Sequence, residues 1–314
     1  MNILNKLSGV QDRADERAVH PRVMVIVHNA KVPSEGNRRL NQVLGWNEPE
    51  PLIEGFISDM KAISDGYVNY KVVDTILVDG FPAKEDGYNY KADDFVKFWK
   101  QKSGFHQPDW MDYKRVVDEF KLTDKVNQDA IDEVWMFGFP YAGYYESRMV
   151  GKDPFWCNAP GLEDRKAKRR YVIMGYNYQR GVGEMLENMG HRAESIIKYV
   201  YRSKKGKDNL WEKFVRHEET DPGNAEVGTM HFAPNSTKDY EWGNPRPVMS
   251  RCDTWLTFPR LTGQARKVTC KDWGDGEIRQ HHKWWFERIP HVAGTTDGIS
   301  NNWWQYIIEP ERVR

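Results

Sequence analysis

Apolar and polar positions along this chain follow two periods, and the first two thirds switch between them regularly. Residues 22–29, RVMVIVHN, form a β-branched apolar run and predict a buried strand. Over 51–64 the spacing of Leu52, Ile53, Phe56, Ile57, Met60 and Ile63 predicts a helix, with Pro51 in its first turn. Asp65-Gly66 ends it, and 67–78 reads as a second strand. Short helices are predicted over 93–100 and 112–120. Residues 131–139, IDEVWMFGF, predict a third strand, apolar enough to be central. A fourth strand over 170–176 runs straight into a long helix that begins at Gly181.

The strand–helix–strand order implies βαβ units and parallel pairing. The predicted class is therefore α/β: a mostly parallel sheet flanked by helices over residues 21–203, after a polar lead-in over 1–20. From 204 the pattern breaks down. Residues 203–209 are a polar turn, and 204–314 are rich in Gly, Pro, Asn and Trp with short apolar segments. This portion is expected to be irregular, aromatic-rich, and packed against the sheet in the same globular unit. Seven of the 13 Trp lie after residue 240, more than core packing alone usually demands. They suggest an aromatic cleft, with Trp284 and Trp303 as stacking surfaces for a substrate.

The long helix carries the candidate chemistry. At about 100° per residue, Glu184, Glu187, His191, Glu194 and Lys198 fall within roughly 80° of one another. Met185, Leu186, Met189, Ala193, Ile196, Ile197 and Val200 lie opposite, so that side packs on the sheet. The polar stripe then faces either water or a cleft. Solvated stripes usually mix signs, but here three Glu precede the only Lys. Gly183 and Gly190 leave little bulk beside the stripe, which could admit a ligand or another backbone.

The segment His191-Arg192-Ala193-Glu194 has the spacing H-x-x-E. Over those four residues it resembles the metal-binding motif of the zinc carboxypeptidases, which also draw a third ligand from a later His. The resemblance implies a metal, with zinc the first choice, held by His191 and Glu194. That family carries its motif in a loop, whereas this one lies in a helix. The third ligand expected here is His231, presented before the Pro234-Asn235 turn, with the pair His281-His282 as the other option, read as strand residues of which one could reach the site. Glu187, Glu184 and Glu146 are the candidate catalytic carboxylates. Glu146, Arg148, Asn177 and Arg180 follow strands three and four, where sites form in open α/β sheets, and the last three are expected to bind substrate.

Composition narrows the function classes. Lys plus Arg and Asp plus Glu balance at 46 each, so a nucleic-acid partner is not expected, and the basic run 165–170 reads as a solvated loop. No apolar run approaches a membrane span, and no signal peptide is read at the start of this chain; secretion stays open, and the compartment is unknown. Three Cys do not make a disulfide framework and read as inert thiols. Phosphate-binding loops, a nucleophile elbow and H-E-x-x-H are absent.

Three functions are compatible with these features. The favoured one is a metal-dependent hydrolase acting on a peptide or glycan, because an imidazole inside a carboxylate stripe suits a metal. The second is a metal-free glycoside hydrolase using a Glu pair with aromatic sugar-stacking subsites. The third is a non-catalytic carbohydrate-binding or interaction module. Substrate identity and oligomeric state are not read from the chain.

Overall fold

A computed structural model describes residues 18–314, so the lead-in read over 1–20 lies almost wholly outside the described residues. The main sheet comprises β1 (Arg22–His28), β2 (Lys71–Val78), β3 (Glu133–Gly138), β4 (Ser147–Gly151), β5 (Leu162–Glu163) and β6 (Tyr171–Asn177). Their order is β2-β1-β3-β6-β4-β5. The first four of that order are parallel; β4 runs antiparallel to β6, and β5 parallel to β4. The α/β expectation holds for the sheet and its helices, with β3 central and fully buried. The antiparallel strand β4 is not among the expected strands, because its five residues carry too short a pattern to separate from the Tyr-rich segment before it.

Alternation along each strand divides the core between two faces. Val23, Val25 and Val27 of β1, Trp135 and Phe137 of β3, and Val172, Met174 and Tyr176 of β6 pack into one cluster. Met24, Ile26, Val134, Met136, Tyr171 and Ile173 pack into the other. The first face carries α1 (Pro49–Ile63) and the long α5 (Val182–Val200), with α2 (Ala92–Gln101) in the same cluster. The second is covered by α3 (Tyr113–Glu119) and α4 (Leu122–Asn127).

Residues after 204 form short ribbons, turns and short helices, among them α6 (Ile278–Phe286) and α7 (Trp304–Ile308). Their aromatic cluster, in which Trp303 touches Trp211, Phe214, Trp255 and Phe258, meets α5 at Tyr201. A buried ion pair ties the layers together. Arg192 of α5 donates Nη1 to Glu133 of β3 at 2.8 Å, Nε to the Ile307 carbonyl at 2.9 Å and Nη2 to that of Ile308 at 3.3 Å. Trp135 Nε1 donates to the other Glu133 oxygen at 2.6 Å. Each donor has its acceptor, which a fully buried charge requires.

All three cysteines are buried and unpaired. Among the described residues no helix is long and apolar enough to cross a membrane.

Candidate metal centre

Helix α5 starts where β6 ends, at the carboxyl edge of the parallel strands. Gly181 caps it in an extended conformation, and Glu184 turns back to accept from the Gly181 N–H at 3.0 Å. Two-sided burial then departs from simple amphipathicity: of the nineteen helical residues only Lys198 is exposed. The polar stripe is roofed by residues after 204. The glycines permit this. A Cβ on Gly183 would come within 2.6 Å of Ile278 in α6, and one on Gly190 would overlap the Met230 thioether. Of the two uses foreseen for these glycines, close approach of another segment is the one present.

That approach brings His231 onto the stripe. It sits in an irregular loop just before the Pro234-Asn235 turn, and its Nε2 lies 3.0 Å from His191 Nε2. Glu187 Oε1 is 3.1 Å from His231 Nε2 and 3.8 Å from His191 Nε2. The three ligand atoms lie within 4.8 Å of one another. Glu146 Oε2 stands 4.0 Å from His191 Nε2 and accepts from the Asn158 amide. On the far side of each ring is another carboxylate: Glu194 Oε2 is 2.9 Å from His191 Nδ1, and Asp239 Oδ1 is 3.0 Å from His231 Nδ1. Glu194 is itself held by the Met230 N–H at 2.9 Å.

A carboxylate beside each Nδ1 favours a proton there. The two Nε2 atoms, 3.0 Å apart with Glu187 Oε1 beside them, need a positive charge in common, whether a proton that one ring donates to the other or to Glu187, or a cation. Metal-binding histidines usually carry such a carboxylate on the ring's outer nitrogen.

The electrostatics favour positive charge on both rings. Burial works to lower His191, but Glu187 and Glu194 outweigh it and push it up to about 10. His231 is raised too, against its own burial, mainly by Glu187. Burial would raise Glu187, yet bonds from His191, His231 and His282 hold it well below the usual carboxylate range. Glu146, with weaker partners, is raised by burial. The buried imidazoles of His281 and His282 are pushed down by desolvation.

Two clefts meet at this cluster. One, about 590 Å³, opens at the carboxyl edge of the sheet and is lined by Glu146 and Glu187 together with Trp110, Tyr141, Asn177, Arg180, Glu184 and Tyr240. The other, about 1030 Å³, reaches His191, Glu194 and His231 from the opposite side, past Trp156, Tyr199 and Phe232.

The structure thus gathers Glu187, His191, His231 and Glu146, with Glu194 on the outer nitrogen of His191 rather than beside Nε2. Glu184, Asn177 and Arg180 line the first cleft, with Arg180 Nη1 3.8 Å from Glu184. Arg148 does not join them. It projects from β4 to the opposite sheet face, over the rings of Tyr113 and Tyr145, because strand alternation sends it away from α5. Trp284 and Trp303 are core residues, 6% and 0% exposed, and line neither cleft; their apolar area is consumed in packing. His281 and His282 lie on α6, not on a strand, and His282 Nε2 reaches to 3.9 Å from Glu187 Oε2. Asp239 and Asn158 carry no periodic signal: they lie near their partners His231 and Glu146 in the chain, but in irregular segments whose turns no apolar pattern reveals.

Comparisons with protein-family models, with curated proteins and with solved structures return no match.

Proposed function

We propose that this protein is a metal-dependent hydrolase whose cation is held by Glu187, His191 and His231. The observation that carries the reading is the face-to-face pair of Nε2 atoms, each imidazole backed by its own carboxylate. Two imidazoles and one carboxylate, with an open cleft beside them, form a donor set that suits catalytic zinc. The cation would supply Lewis acidity and a water acidified toward neutral pH. Glu146, beside the cluster and raised by burial, would be the group that takes up a proton and returns it to the leaving group. Asn177 and Arg180 orient a polar substrate in the first cleft. Glu194 and Asp239 fix the imidazoles.

Elemental analysis of the purified protein tests this reading. About one equivalent of zinc or a related divalent ion is expected, lost in His191→Ala and His231→Ala. A parent protein that neither contains nor takes up such an ion at micromolar concentration rules the reading out.

One observation favours a second reading, a metal-free glycoside hydrolase. Burial raises Glu146 while three imidazoles depress Glu187, which would set an acid and an ionised partner in one cleft. Activity that survives full removal of divalent ions selects it.

A further inference from the structure

We infer that the first cleft binds the pyranose rings of a glycan, on a platform made by Trp110 and Tyr141. The inference rests on that cleft being the substrate side of the site proposed above. Trp110 and Tyr141 both line it, together with Glu146 and Glu187, so platform and carboxylates share one continuous surface.

Both rings are exposed, 47% and 38%, although each is large enough to be driven inward. Each is also backed by a parallel ring. Trp110 stacks on Tyr145 at 4.8 Å and 14°, and Tyr141 on Phe105 at 3.6 Å and 12°. One face of each ring is consumed by the protein and the other is left flat and open. A flat, immobilised aromatic face matches the C–H face of a sugar ring.

The platform is held by buried polar contacts. Lys84, with a fully buried side chain, donates from Nζ to the carbonyls of Asp109 (2.8 Å) and Tyr141 (2.6 Å) and to Asp109 Oδ1 (2.6 Å). It therefore staples the loop before Trp110 to the loop bearing Tyr141. The Met111 N–H donates to the Gly143 carbonyl at 3.0 Å, and the Glu85 N–H to that of Trp110 at 3.0 Å. Tyr141 is kept at φ +66°, a left-handed conformation that side chains other than glycine rarely adopt and that persists only where the surroundings impose it. Such rigidity reduces the ordering a ligand must bring about on binding.

Polar groups for hydroxyls stand on the same wall, in Asn177, Arg180 and Asn188. Peptide grooves, by contrast, offer a strand edge or apolar side-chain pockets. The flat rings with a polar surround favour a glycan.

Native-gel affinity electrophoresis tests the inference, with soluble xylan, mannan, mixed-linkage glucan and glycol chitin as probes. At least one polysaccharide should retard the parent protein. Trp110→Ala and Tyr141→Ala should each weaken that retardation at least about tenfold, and Trp110→Phe, which keeps a ring, should preserve most of it. Zinc titration of Trp110→Ala should match the parent. Polysaccharide binding in a protein that takes up no zinc would strike the metal reading alone. If no polysaccharide retards the parent, or Trp110→Ala binds as tightly, or the parent degrades casein while ignoring all four polysaccharides, the inference is overturned.

Discussion

His191 and His231, forty residues apart in the chain, point their Nε2 atoms at each other across 3.0 Å. Neither ring is free to turn away, because Glu194 and Asp239 hold the opposite nitrogens.

The outer carboxylates should therefore tune the site without being ligands. Glu194→Gln keeps an acceptor for the Met230 N–H but loses the charge on His191 Nδ1. Zinc affinity should fall about 10- to 100-fold, and Asp239→Asn should act similarly. Competition against a chromophoric chelator reads the change, and an unaltered affinity in both variants contradicts the arrangement.

Protons and metal should compete. In the metal-free protein His191 is pushed up to about 10, so it is protonated at neutral pH and a cation must displace that proton. Zinc affinity should rise from pH 6 to pH 8, with proton release visible as a buffer-dependent heat in calorimetry. Metal-free stability should run the other way. A pKa raised from 6.5 to about 10 stabilises fully below 6.5, and that contribution is lost as pH rises through about 10. Urea midpoints of the chelated protein should accordingly decline between pH 7 and pH 10.

Helix α5 is clamped in rotation by Arg192 on Glu133. Arg192→Met strands a buried carboxylate and should destabilise by about 3–5 kcal/mol. Adding Glu133→Gln removes the orphaned charge and should recover part of the loss. Urea unfolding of the single and double variants measures both, and a single variant as stable as the parent would show that the pair is not the clamp.

Gly190 should prove essential to the roof over the site. Gly190→Ala overlaps the Met230 sulfur, displaces the loop that carries His231, and should cost about 1–3 kcal/mol along with zinc affinity. Met230→Ala in the same protein makes room and should restore binding. Zinc titration and thermal melts of the pair provide the check.

Local order was legible in the chain. Strands β1, β3 and β6 and helices α1 and α5 appear within about two residues of the expected bounds, because apolar period and turn residues are local properties. Five residues of α5 could be placed on one stripe for the same reason. The stripe's use could not be read. Glu187 and Glu194 sit four and three residues from His191 and look equivalent on a helical wheel, yet one faces Nε2 and the other Nδ1, a distinction set by how the ring turns toward His231. Trp284 and Trp303, by composition as good a surface as Trp110, are swallowed by the core.

What the sequence alone determined was therefore the order of elements and the presence of a carboxylate–imidazole stripe, since both follow from neighbours a few positions apart. Only the tertiary structure decided that the stripe is roofed, that His231 and Asp239 complete it, and that the open aromatic faces are Trp110 and Tyr141. Those outcomes depend on contacts between segments far apart in the chain, which side-chain volume and buried charge select and no local pattern records.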